Sequence, residues 1–433
     1  MLKLPLMPLT DLSRSVMIIP AHGAIRWLGT GLALLALMAA CRRPAPSTPR
    51  QSPANLAHIL SLVDSVEVDT QQLAFVHIYA EYPDYQPVVA AGEGVTCVDD
   101  VGRLLEVLEA EILYFDREDL LPVARGLSRF LLHLQRADGT WNNFMWADGS
   151  INTGHHNSRA GFGWWAARGL RGLAAAYAIF QERDPPWADT LLARFRLGES
   201  HLAAILAAYP QMVSTSLGAR AGWLPNQAPD QASEFLLALA KMQAHSDLDY
   251  SRQIRRLADG LLTYQYRRPG SDVDGLFFCW ENLWHGWGNL QALALLEAFQ
   301  ATSDSTYLAA VEYWADNYLS WAVGLGSFWE IRVTAGDSIT TSELPQIAYG
   351  AGSSYRGIQR LATITRRPEH AALAGRLLGW FSGHNRAGIV MYDPASGRCF
   401  DGINDPTTVN RNSGAESTIE ALLALQFSAL NSP

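Results

Sequence analysis

Helical segments in this chain are joined by two alternating kinds of connection, and that alternation restricts its fold more than any other feature. Apolar residues recur at helical spacing through segments 54–68, 98–115, 119–136, 158–182, 187–208, 227–245, 249–268, 286–302, 304–323, 347–365, 368–383 and 412–430. β-Branched runs are scarce, and no Asn-Gly turn separates alternating strands. Connections near Asp116, Asp184, Ser246, Ser303 and Arg366 are only a few residues long, which folds neighbouring helices into antiparallel hairpins. Between these hairpins lie stretches of roughly 17 to 29 residues, a length usually reserved for functional loops. Helices that follow the long stretches begin near 98, 158, 227, 286, 347 and 412, a period of about 60 to 70 residues that marks a structural repeat. Each hairpin turns tightly at one end, so the long loops gather at the other. The expected fold is all-α: an (α/α)6 toroid of six hairpins and twelve helices over residues 54–433. Small residues in GFGWWAARGLRGLAAAYA, AYGAGSSYRGIQRLA and SGAESTIEALLAL suit a crowded inner ring.

Residues 1–40 differ in kind from the rest. Arg26 precedes an uncharged stretch, Trp27 to Ala40, too short to span a bilayer as a permanent helix but suited to a signal-peptide core. It ends in Met38-Ala39-Ala40-Cys41, which resembles a bacterial lipobox; the resemblance implies that Cys41 is lipidated and becomes the new N-terminus. Residues 41–53 then read as a Pro/Ser-rich tether. Arg42 follows the cysteine and no aspartate stands there, so in a two-membrane bacterium the expected location is the outer membrane of the cell envelope. The alternative is an ordinary secretory signal with an incidental cysteine.

The whole chain is 48% hydrophobic and 17% charged with a formal charge of −9, a composition that demands a large core and argues against nucleic-acid partners. Trp141, Trp146, Trp223, Trp280, Trp284, Trp287 and Trp329 all fall in long loops or at inner-helix starts, with Tyr349 and many carboxylates. Aromatic platforms beside carboxylates and amides suit the flat C–H faces and polar rims of a sugar, although some of these rings would only pack loops. The expected partner is a carbohydrate, the expected state a monomer, and the only expected membrane contact the lipid anchor.

The twelve-helix plan resembles the six-hairpin glycosidase superfamily. Three segments sharpen the likeness: CVDDVGR from Cys97, DGTWNNFMWADGSINTGHHNSRAGFGWWAARGL from Asp138, and FDGINDPTTVNRNSGAESTIEALLAL from Phe400. The resemblance implies a glycoside hydrolase. Glycosidic cleavage uses one carboxyl group as acid and a second carboxylate as base or nucleophile. In a closed ring the helix at 98 lies beside the helix at 412, so Asp99 or Asp100 faces Glu416. By likeness to inverting cellulases of this fold, the Asp is the base and Glu416 the acid. Thr96–Asp99 and Ser413–Glu416 also have the spacing of helix caps. Glu281, among Trp280, Trp284 and Trp287, is a third candidate, because burial by the rings would raise its pKa. Glu330, Glu343 and Asp401 are weaker ones.

His155, His156 and Asn157 lead into the second inner helix and suit substrate hydrogen bonding or loop anchoring. They also suit the proton transfers of a polysaccharide lyase or an epimerase. A lyase of this fold and a non-catalytic glycan-binding lipoprotein are the alternatives to a hydrolase. The lyase is disfavoured because no cluster of Arg and Lys is evident to hold uronates. No cofactor is expected, and no metal, since Cys and His show no ligand spacing. Asp393, Asp401 and Asp405 share one loop but match no calcium-loop spacing. Of the remaining cysteines, ring topology pairs Cys97 with Cys399 and leaves Cys279 free, the alternative being three buried thiols.

Overall fold

The computed structural model describes residues 51–325 and 329–431. The signal segment, Cys41 and all but the last residues of the tether lie outside them. Within the described residues no helix is long and apolar enough to cross a membrane.

A single-turn helix, α1 (Ala57–Ser61), comes first. Five helical pairs and a closing helix follow: α2 (Val98–Tyr114) and α3 (Leu121–Leu134), α4 (Trp164–Phe180) and α5 (Pro185–Leu206), α6 (Pro229–His245) and α7 (Ser251–Thr263). Next come α8 (Gln291–Thr302) and α9 (Ser305–Tyr313), α10 (Ala348–Thr365) and α11 (Pro368–Leu378), and finally α12 (Ala415–Asn431). Helix α9 runs on through a π-helical turn, Trp314–Leu319, into Ser320–Leu325.

Local chemistry explains the tight ends. Asp116, Ser303 and Arg366 take left-handed backbone conformations that stop α2, α8 and α10. Asp184 accepts a hydrogen bond from the Trp187 N–H at 3.2 Å, with Pro185 and Pro186 opening α5. Asp304 caps α9 in the same way through Thr306 at 3.0 Å.

The even-numbered helices form the inner ring. Each packs on the next, and α12 packs back on α2, so the ring closes. Small residues permit the closest crossing: a methyl group on Gly102 would lie 2.5 Å from the Arg168 carbonyl oxygen, and one on Gly172 would lie 2.8 Å from the Gly102 Cα.

The expected first outer helix, 54–68, is corrected. After α1 the chain forms an antiparallel hairpin, Val63–Val68 with Gln71–Val76. The run VDSVEV has valines at 63, 66 and 68 and so carries neither a clean helical nor a clean strand period; the turn is Asp69-Thr70, both at positive φ, a hairpin geometry that does not require Asn-Gly. Leu73 to Val76 are buried, and Ala74 lies against Gly126 of α3.

Short strands also knit the long loops together around one rim. Thr96–Cys97 pairs with Phe144–Met145 before α2 and α4. Leu283–His285 pairs with Trp329–Val333 before α8 and α10, and Gln346–Ile347 pairs with residues Gly402–Ile403 before α10 and α12. The N-termini of the inner helices therefore open into one loop face.

Candidate active site

At that face, a cleft of about 510 Å³ lies over the first turns of α2, α4, α10 and α12. Asp99, Asp100, Arg103, Asp401 and Glu416 line it, with Tyr79, Phe144, Trp164 and Trp165 as its aromatic wall and Asn143 and Asn157 as its amides. Arg103 organises the carboxylates. Its Nη2 donates to Asp100 Oδ1 at 2.9 Å and to Glu416 Oε2 at 3.0 Å, while Nη1 reaches Glu420 at 3.3 Å. Arg103, Asp100 and Glu420 are buried, whereas the Glu416 side chain is 44% exposed to the cleft.

Neither capping role materialises. Cys97 stands at the N-cap of α2 without a side-chain capping bond. The α12 terminus is capped instead by Asp401, which accepts from the Gly414 N–H at 3.0 Å and from Ser417 Oγ at 2.7 Å. The Asp99 carboxyl is thus left without a protein hydrogen-bond partner among the described residues. Burial pushes its pKa up, partly opposed by Arg103 and Arg168. Burial likewise lifts Asp100 to about 6 against the pull of Arg103, and raises Asp401.

Beneath the cleft the lumen is filled by ion pairs. Arg356 holds Glu420 at 2.9 Å. Arg168 pairs with Glu234 at 3.0 Å and donates to the Tyr349 hydroxyl at 2.5 Å. Arg171 bridges Glu106 and Glu234, and Lys241 holds Glu109. Burial would raise the Glu234 pKa, but Arg168 and Arg171 together hold it below its ordinary value. A cluster of arginines therefore does exist, contrary to the sequence expectation. Its members come from three different inner helices, so no local run of basic residues announces it. Every member is engaged by a carboxylate.

The expected aromatic groove is largely corrected. Trp141 is fully buried against Gly169 and Gly198, and Trp223 is buried with its indole N–H on the Arg256 carbonyl at 2.7 Å. Trp284 packs edge-on against Tyr318. Trp287 donates to the Pro345 carbonyl at 2.9 Å, while Trp146 and Trp280 are exposed outside the cleft. The backbone of Trp329 pairs with Glu343 in a strand. Tyr349 does not line the cleft; its ring packs against the guanidinium groups of Arg103 and Arg168. Trp164 and Trp165, within a quoted motif but not singled out, are the tryptophans that line the cleft; their place at the start of the second inner helix was the available signal.

Glu281 is exposed at a turn with φ of 43°, so the tryptophans do not enclose it. Glu330 and Glu343 pair with Arg332 and Arg386. His155 caps its own turn by accepting from the Asn157 N–H at 3.3 Å and lies tilted against the His156 ring; of the three residues only Asn157 lines the cleft. Asp393, Asp401 and Asp405 each bond within their own turn or cap and do not form a shared cage. The Cys97–Cys399 bridge is absent: Cys97, Cys279 and Cys399 are all buried free thiols, with Cys97 Sγ on Asp100 Oδ2 at 3.3 Å. The helix adjacency behind that pairing nevertheless holds.

One grouping was invisible to motif spacing. Ligand atoms of Asp230, Cys279 and His285 lie within 4.8 Å of one another, because the start of α6 meets the loop before α8. A larger cavity, about 670 Å³ between α9, α10 and α11, has no carboxylate in its lining.

No protein-family model and no curated protein matches the sequence. Solved structures do. Cellobiose 2-epimerase from Bacillus thermoamylovorans B4167 is 13% identical, with a TM-score of 0.62 over 87% of this chain and 96% of that one. D-Mannose isomerase is 12% identical, with a TM-score of 0.57 over 95% and 100%. A family 76 glycoside hydrolase from a bovine Bacteroides thetaiotaomicron strain is 12% identical, with a TM-score of 0.51 over 87% and 76%. The chain has the six-hairpin (α/α)6 fold of these proteins.

Proposed function

We propose that the loop-face cleft hydrolyses a glycosidic bond of an oligosaccharide or polysaccharide, with Asp99 as proton donor and Glu416 as the second carboxylate. The supporting observation is the contrast between these two side chains of adjacent inner helices. Asp99 is unpartnered and its pKa is raised by burial, whereas Glu416 sits on the Arg103 guanidinium. A carboxyl group raised by burial beside one held by an arginine offers the two carboxyl groups that glycosidic cleavage uses. Glu416 is held by Arg103 at 3.0 Å while the Asp99 carboxyl has no such partner among the described residues, so the roles expected from the likeness to cellulases are exchanged in this proposal. Asp99 protonates the leaving oxygen. Glu416 acts at the anomeric carbon, as base for water or as nucleophile. Trp164 and Trp165 offer stacking faces, and Asn143 and Asn157 offer amides for hydroxyl groups.

The similarity to sugar epimerases, an isomerase and a glycoside hydrolase supports a carbohydrate substrate. The epimerases favour a second reading, proton transfer at a sugar carbon, yet no histidine lines the cleft among the described residues. A lyase is disfavoured because Arg103, the cleft's arginine, is already committed to Asp100, Glu416 and Glu420.

The test is a glycan screen with product analysis, followed by Asp99→Asn and Glu416→Gln. New reducing ends without unsaturation support hydrolysis; altered configuration without cleavage supports the epimerase reading. Both variants should lose at least ~100-fold in turnover with the fold intact. Aryl glycosides with a good leaving group should restore rate to Asp99→Asn but not to Glu416→Gln. A near-normal rate in Glu416→Gln removes it from the mechanism.

A further inference from the structure

We propose that Asp230, Cys279 and His285 form a zinc site, distinct from the Asp99–Glu416 cleft. Carboxylate oxygen, thiolate sulfur and imidazole nitrogen are each zinc donors, and three protein ligands with one open position is a common zinc arrangement. Their ligand atoms already lie within 4.8 Å of one another, and His285 Nε2 is 3.8 Å from Asp230 Oδ2. In a tetrahedral zinc site, ligand atoms at bond lengths of about 2.0–2.3 Å stand roughly 3.5 Å apart, so contraction by side-chain rotation suffices.

Asp230 supplies a second, independent observation. It is only 6% exposed. Its Oδ1 accepts from the Gln231 N–H at 2.7 Å, but its Oδ2 accepts no hydrogen bond, and neither Lys nor Arg pairs with it among the described residues. On so buried a side chain, a carboxylate oxygen with no hydrogen-bond donor and only the His285 imidazole near it at 3.8 Å is costly, and a divalent ion between it, the Cys279 thiol and His285 supplies the missing partner. Cys279 is fully buried, with Sγ 3.5 Å from Asn289 Oδ1, so Asn289 or water completes the coordination. On binding, the thiol proton leaves to solvent and sulfur bonds to the metal. His285, with its side chain 25% exposed, provides the route in.

The fold gives the site a defined place. It joins the N-terminus of α6 to the loop entering α8, and in the six-membered ring α6 stands opposite α12 and α8 opposite α2. Zinc would thus clamp the rim facing the carboxylate pair.

Tag-free full-length protein, stripped with chelator, should bind one Zn²⁺ per chain by calorimetry and elemental analysis. Substituted with Co²⁺, it should show thiolate-to-cobalt charge-transfer absorption and the intense visible bands of tetrahedral cobalt. Cys279→Ser should abolish the charge-transfer band, and His285→Asn should weaken Zn²⁺ binding by at least ~100-fold, beyond the effect usual for outer-shell changes. A Cys97→Ser/Cys399→Ser variant should keep the band. Far-ultraviolet circular dichroism establishes that each variant is folded. Folded wild-type protein without stoichiometric Zn²⁺ binding, or a charge-transfer band that survives Cys279→Ser, overturns the site. Both readouts are independent of glycosidase activity, so failure here leaves the hydrolase reading standing, and the converse holds.

Discussion

Arg103 Nη2 lies 3.0 Å from Glu416 Oε2, across the seam where the last inner helix closes on the first. The same nitrogen holds Asp100, and the same guanidinium holds Glu420. A single side chain therefore closes the ring electrostatically and positions a carboxylate of the candidate site.

Removal of that cation should be severe. Arg103→Met leaves the buried Asp100 and Glu420 without it, and breaking a buried pair by deleting one partner costs about 3–5 kcal/mol. Arg103→Lys should recover only part of this, since an ammonium lacks the planar fork that reaches several carboxylates. Urea denaturation of both variants is the measurement, and a midpoint unchanged in Arg103→Met would show that the network contributes nothing net.

Asp100 should make stability depend on pH with an unusual sign. Its carboxyl is lifted from the ordinary 3.8 to about 6 in the folded protein, so folding takes up a proton between these values. This contribution favours the folded state fully in acid and is lost as pH rises through about 6. Over that window it amounts to about 3 kcal/mol at most. The difference in denaturation free energy between wild type and Asp100→Asn, followed from pH 4 to 7, should decline with rising pH.

Proton donation by Asp99 gives kcat/KM an alkaline limb. With its pKa raised by burial, the rate should fall as the carboxyl ionises, and that limb should vanish in Asp99→Asn assayed on an activated aryl glycoside. An alkaline limb unchanged in the variant would assign it to another group.

At Gly102 the ordinary helix rule should reverse. Exchange of an interior helical Gly for Ala usually gains about 1 kcal/mol, but here the new methyl group meets the Arg168 carbonyl oxygen at 2.5 Å. Overpacking of this kind costs about 1–3 kcal/mol, so Gly102→Ala should lower the denaturation midpoint, and a raised midpoint would mean that α2 and α4 can separate without penalty.

For the membrane anchor, we propose lipidation of Cys41. Mature protein should begin at that residue, partition into detergent, and become soluble as Cys41→Ser. Recovery of the wild type as a soluble species with another N-terminus would refute this.

Helical periodicity and the alternation of tight and long connections were legible in the sequence, because each is written in residues a few positions apart. From them follow the hairpins, the ring, the loop face and the placement of Asp99 beside Glu416. Even the small residues of α4, α10 and α12 were readable as those of a crowded inner ring. The exception, residues 63–76, shows no clean alternation in either strand, and its Asp69-Thr70 turn lacks the usual Asn-Gly signature. Tertiary structure alone decided which aromatic rings face the cleft: Trp141 and Trp165 both sit near the loop face, yet one fills the contact between α4 and α5 and the other lines the cleft. It alone assembled Arg103, Arg168, Arg171 and Arg356 around shared carboxylates, and brought Asp230 to Cys279 and His285. Such convergence depends on where separate helices meet after the ring closes, and no local pattern of side chains encodes a distance across that ring.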